Sequence, residues 1–253
     1  MNRLSPERRA DILLMLCRGA SLRGVTRAAN VSINTVTKLL VDAGMVCEDL
    51  HDRMLRKLVS TRLLCCKSWS PLVTPGERIV VDGDCTGHSG AWTWSATDCD
   101  TGLIVSYRLG ARDIATARAF IVDLSHRLSL RATTLTRAEL AEMSQDGAPF
   151  FLTMHRGDGP GSHIRLERVP TIPHNLATAQ RMLGRRFTRL RNGYCRKVEN
   201  LAHMVAIYVV WHNFVQKRRS GRTRAVDSKV ADRAWNMIDI VAAIHPRTSH
   251  RPR

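Results

Sequence analysis

The spacing of apolar residues changes period twice along the chain, and that change limits it to folds combining helices with a sheet. From Pro6 to Leu16 apolar residues recur at helical spacing (Ile12, Leu13, Leu16), and Gly19 follows as a stop. A second, short helix opens at Ser21 with Leu22, Val25 and Ala28 inward and Arg23 and Arg27 outward, and it ends at Asn30-Val31. Ser32 is suited to cap a third helix over 33–41. There Val36, Leu39 and Leu40 are expected inside, Asn34, Thr35, Thr37 and Lys38 outside, and Ala43-Gly44 closes the helix. A charged stretch from Asp49 to Arg62 reads as a basic linker helix.

Period two then takes over. Arg78 to Asp82 reads as a strand, 83–90 as a loop and Ala91 to Asp98 as a second strand, with a turn at Asp100-Thr101-Gly102. Leu103 to Leu109 is a third strand, and Ile114 to Leu128 is an amphipathic helix burying Ala117, Phe120, Ile121 and Leu124. Between Ser129 and Pro173 only a short strand at Ala132 to Leu135, a turn at Asp146-Gly147 and a glycine-rich loop at 157–161 can be read. That glycine run lacks the Gly-Lys-Ser/Thr ending of a phosphate-binding loop. Helical spacing returns after Leu176, with an apolar helix over Val198 to Val215, a basic loop over Gln216 to Arg224 and a last helix over Val230 to Ile244. The fold class expected is α+β.

The 253 residues carry 39 Lys and Arg against 22 Asp and Glu, a net charge of +17, with 44% hydrophobic residues. The apolar share supports a core and excludes general disorder, while the excess charge calls for a polyanionic partner. The longest apolar run, Met204 to Trp211, is too short to span a bilayer, and no long basic amphipathic helix argues for a membrane surface. The charged N-terminus does not look like a secretory signal, so a cytoplasmic location is expected. Seven scattered cysteines without a C-x-x-C pair read as free thiols.

Three short helices with a tight turn before the third read as a helix-turn-helix. In that geometry Asn34, Thr35, Thr37 and Lys38 reach base edges in the major groove, Arg23 and Arg27 contact phosphates, and Ser32 at the cap belongs to the same DNA-binding set. The plain alternative is a three-helix cap with a solvated polar face. A second basic patch, Arg181, Arg185, Arg186, Arg189, Arg191, Arg196 and Lys197, interleaves with Phe187 and Tyr194 and suits a nucleic-acid channel.

Particular stretches resemble bacterial DDE-type transposases of the insertion-sequence-one family. They are Asn2-Arg3-Leu4-Ser5 with Arg8-Arg9, Asn34-Thr35-Val36 with Lys38-Leu39-Leu40, and Asp42-Ala43-Gly44 at the N-terminus. Trp92-Thr93-Trp94 with Asp98, Asp100-Thr101 and Leu103-Ile104 resembles the central hairpin. Arg185 to Leu190, Lys197 to Asn200, Ala202-His203 and Trp211 to Val215 resemble the C-terminal helix. The resemblance implies an N-terminal helix-turn-helix followed by an RNase H-like mixed sheet with flanking helices. It also implies Mg²⁺ ions on an Asp-Asp-Glu set, cleavage and joining of double-stranded DNA ends, and an oligomer that brings two ends together.

For the first acid, an ungapped frame places Cys66, a thiol and no ligand for Mg²⁺, whereas a gapped frame offers Asp82 at the end of a strand. Asp146, in Ser144-Gln145-Asp146-Gly147, is the nearest likeness to the second acid, and Glu167, before Arg168, to the third. Asp82, Asp146 and Glu167 are thus the candidate catalytic residues, Asp82 and Asp146 the candidate metal ligands. The organisation expected is a DNA-binding module at 1–48, a basic linker at 49–77, a transposase domain at 78–225 and a C-terminal helix and tail at 226–253. Two further readings stand beside the transposase: a catalytically inactive relative that only binds DNA, and a transcriptional regulator with a ligand pocket.

Overall fold

The computed structural model describes residues 4–72, 89–129, 135–145, 148–156, 162–169 and 198–244. The chain divides into two compact units, one containing residues 4–54 and 198–244, the other residues 55–71 and 89–169, among those described.

In the first unit α1 (Pro6–Cys17) begins with Pro at N1 behind Ser5, whose Oγ accepts from the Arg8 amide at 3.3 Å. α2 (Leu22–Ala29) is capped by Ser21, whose Oγ accepts from the Gly24 amide at 3.0 Å, and it ends at Asn30 in the left-handed region, φ 49°. α3 (Ile33–Met54) runs for 22 residues. It does not stop at Ala43-Gly44, as its sequence suggests, because glycine here serves close packing rather than termination. A Cβ on Gly44 would lie 2.3 Å from Cβ of His203 and 2.6 Å from its Cγ. His203 belongs to α6 (Val198–Val210), and the α3–α6 pairing is the largest helix contact in the unit.

α6 is buried on every side from Met204 to Val210, as befits a central helix. It passes into one π-helical turn, Trp211–Val215, in which Trp211, His212, Asn213 and Phe214 are also buried. A one-turn α7 (Arg224–Asp227) and α8 (Met237–Ile244) are the last elements among the described residues, and α8 packs on α1 and α3. The last helix begins at Met237 rather than Val230. Asn236 and Asp239 cap each other there, the Asn236 amide donating to Asp239 Oδ2 at 2.7 Å and the Asp239 amide to Asn236 Oδ1 at 3.0 Å.

Among the described residues, the second unit is a five-stranded antiparallel sheet of order β3-β2-β1-β4-β5 with two helices. Its members are β1 (Arg62–Leu72), β2 (Ser89–Asp98), β3 (Ile104–Gly110), β4 (Phe150–Arg156) and β5 (Ser162–Arg168), with α4 (Ile114–Arg127) and α5 (Arg137–Gln145) between β3 and β4. The mixed sheet implied by the resemblance is not what forms. β2 with β3, β1 with β4 and β4 with β5 all pair antiparallel, and the link from Arg156 to Ser162 is too short for the crossover that parallel neighbours need. The expected linker helix also gives way after Met54. Lys57 takes φ 55°, Leu58 makes a bridge to Leu128, and β1 starts at Arg62.

Hairpin and helix signals in this unit act as expected. Asp98 accepts from the Thr101 amide and hydroxyl, each at 2.7 Å, and from the Asp100 amide at 3.2 Å, while Gly102 supplies φ 73° for the turn. Asp113 caps α4 through the Thr116 amide at 2.7 Å, which holds its carboxyl below the usual range. On the sheet face covered by α4, Trp94 meets Phe120 with ring centroids 5.9 Å apart. Lys67, also buried, donates to the Met143 carbonyl of α5 and lies 5.1 Å from the Trp94 ring. The strand expected over 78–82, most of that over 132–135, the turn at 146–147 and the loop at 157–161 lie outside the described residues.

Gly44→Ala tests the α3–α6 contact. In an exposed helix that change gains about 1 kcal/mol, whereas here the overlap with His203 reverses the sign, for a net loss of roughly 1–3 kcal/mol in chemical denaturation.

Candidate nucleic-acid interface

The turn Asn30-Val31-Ser32 between α2 and α3 decides which side chains are presented. Asn30 in the left-handed conformation reverses the chain, and the Val31 amide donates to the Thr26 carbonyl at 3.2 Å. Ser32 Oγ then accepts from the Thr35 amide at 3.1 Å, as a cap should. The same oxygen lies 2.9 Å from the Thr35 hydroxyl, so Thr35, half-buried, is committed to the cap and is not presented outward with its neighbours.

Ser32, Asn34 and Lys38 are exposed, and Thr37 is half-buried. Asn34 and Lys38 stand four residues apart, one turn above the other on one face of α3. Ile33, also exposed, adds an apolar group at the first helical position. Arg23 and Arg27 repeat the four-residue spacing on α2, and both are exposed. Behind them Leu22, Val25, Val36, Leu39 and Leu40 are buried, and Arg8 of α1 ties down the end of α2 by donating to the Ala29 carbonyl at 2.7 Å. The result is a polar and cationic surface on a packed backing. Its groups are two guanidiniums on one helix, an amide and an ammonium on the next, and the positive end of α3 between them.

Asp82 and Asp146, the carboxylates expected to hold Mg²⁺, lie outside the described residues, as do Arg185, Arg186 and Arg189. Glu167 is on β5, opposite Phe151 of β4, and pairs with Arg165 at 3.1 Å in a largely exposed ion pair. Cys66, the alternative at the first acid, lies on β1 and is buried, its thiol pushed up by burial. Cys99 is pushed up to about 11 for the same reason. A protonated thiol beside a buried Lys67 is no ligand for a hard cation. Two further carboxylates in the sheet unit have structural partners: Asp123 takes Arg127 Nε at 2.7 Å and the Ser106 hydroxyl at 2.5 Å, and Glu139 closes a capping box with Thr136. Among the described residues, no three His, Cys, Asp or Glu side chains form a group suited to a metal ion. No helix described is long and apolar enough to cross a membrane.

Gln216 to Arg224 is a basic loop by sequence, with no function that its residues alone assign. In the structure it is a tight turn, with the Arg218 amide donating to the Arg222 carbonyl at 2.8 Å. Its signal was the density of cations, five Lys and Arg in nine residues.

Comparison with protein-family models, with curated proteins and with solved structures finds no match to this chain.

Proposed function

We propose that this protein binds double-stranded DNA through the α2–α3 pair, used as a helix-turn-helix, and that it is a relative of insertion-sequence transposases that occupies DNA ends without cutting them. The observation that carries the reading is the exposed pair Asn34 and Lys38 at the start of a capped, well-backed helix, with Arg23 and Arg27 alongside. Such a helix in the major groove lets Asn34 make paired hydrogen bonds to an adenine edge and Lys38 reach guanine acceptors. Arg23 and Arg27 fix the register on phosphates. A net charge of +17 supports the same partner. Ser32 contributes by capping α3.

The fuller reading, metal-dependent strand cleavage and transfer, requires Asp82 and Asp146 to converge with Glu167 on Mg²⁺. Two observations favour binding alone: β1, at the middle of the sheet, carries Cys66 and Lys67 where the ungapped resemblance expects the first acid, and Glu167 is paired with Arg165. When bound to such a site, Mg²⁺ would stabilise the attacking and leaving oxygens of phosphoryl transfer.

Selection from a random duplex library, followed by anisotropy titration, tests the interface. Wild type is expected to enrich a sequence, and Asn34→Ala to lose about 1–3 kcal/mol on it while keeping its affinity for random duplex. Failure to enrich any sequence, or an Asn34→Ala/Lys38→Ala variant with unchanged preference, contradicts the assignment. On supercoiled plasmid carrying the gene's flanking sequence, retardation without nicking is expected in Mg²⁺ or Mn²⁺. Metal-dependent nicking that disappears in Asp82→Ala would instead establish the transposase.

A further inference from the structure

The turn between the π-helical segment and α7 presents cations in a built arrangement that the α2–α3 interface does not use. Lys217, Arg218, Arg219 and Arg222 are exposed, with Ser220 and Gly221 at the tip. The backbone is closed by the 2.8 Å bond from the Arg218 amide to the Arg222 carbonyl and a 3.0 Å bond from the Gly221 amide to the Arg218 carbonyl, Gly221 taking φ 78°. Its base is pinned by Arg224, whose Nη1 donates to the carbonyls of His212 at 3.0 Å and Gln216 at 3.4 Å and to Gln216 Oε1 at 3.2 Å. Thr223 is fully buried beneath it.

One carboxylate organises the cations. Asp227 accepts from Arg218 Nη1 on Oδ2 and from Arg222 Nε on Oδ1, each at 3.1 Å, holding two guanidiniums beside one another despite their like charge. The five cations of residues 216–224 against Asp227 leave 5 − 1 = +4 on the turn, and four of the five are exposed. Among the described residues no carboxylate pairs with Lys217 or Arg219.

The composition selects the partner. No aromatic or aliphatic side chain is available at the tip to anchor a protein partner or enter a bilayer. Residues 217–222 themselves carry no ring on which an unpaired base could stack, and Trp211 and Trp235, which share a pocket wall with Lys217, lie outside the turn. Closely spaced cations on a fixed backbone, with small residues at the tip, fit the regular phosphates of a duplex. We infer that residues 217–222 form a second, sequence-independent contact to the phosphate backbone of double-stranded DNA, carried by the same compact unit as α2 and α3.

Anisotropy titration of a short random-sequence duplex over a series of salt concentrations tests this. In Lys217→Gln/Arg219→Gln, which leaves the Asp227 and Arg224 anchors intact, the slope of log K against log salt falls by about two, equally on random and selected duplexes. The charge-preserving Lys217→Arg/Arg219→Lys keeps the wild-type slope. Asn34→Ala, which removes base reading alone, also keeps it, so failure of α3 and failure of the turn are read separately. A neutral variant that titrates like wild type, a loss seen only on single-stranded DNA or RNA, or a wild type that binds no duplex would overturn the inference.

Discussion

The close approach of α3 to α6 at Gly44 governs the helical unit. A helix that is apolar on every side, as α6 is over Met204 to Val210, is stable in water only when enclosed. α3 encloses much of it by running on to Met54, and Gly44 permits the approach because any side chain there would overlap His203. The mid-helix glycine costs about 1 kcal/mol of helix propensity, which the buried contact offsets. Anchoring the C-terminal half of α3 in this way fixes its N-terminal turns, so Asn34 and Lys38 stand on a rigid element rather than a loop.

Charge is divided between structural and presented groups. The acidic side chains described here largely serve caps and ion pairs: Asp98 the hairpin turn, Asp113 and Glu139 helix starts, Asp123 Arg127, Asp227 the basic turn and Asp239 Arg233. Cations are less often consumed this way, and several that remain exposed gather on α2, on the start of α3 and on residues 217–222. A chain of net charge +17 repels itself when compact, and a polyanion laid across such patches relieves that repulsion.

Much of this architecture was legible in the sequence wherever a local rule decides the outcome. Ser21 and Ser32 cap helices, Asp100-Thr101-Gly102 turns, and Ile114 begins α4 behind Asp113 because each depends on residues within three or four positions. Gly44 misled because glycine signals either an end or a close approach, and only α6, far along the chain, distinguishes them. β1 is not legible in the sequence because Leu63, Leu64, Cys65 and Cys66 are buried on both faces of a central strand and show no alternation. β4 does alternate, with Phe150, Leu152 and Met154 buried, but it follows a stretch too irregular to frame it. At the candidate interface the outward positions of Asn34 and Lys38 could be read from helical spacing. The withdrawal of Thr35 into the cap could not, since it depends on a hydroxyl pair at Ser32.

Amide hydrogen exchange of the whole chain, with and without duplex DNA, tests most directly whether the α2–α3 pair is the binding surface. The account predicts added protection across residues 21–38, while the buried core of α6 exchanges as slowly as before. Protection confined to the sheet unit, with residues 21–38 unchanged, would contradict it.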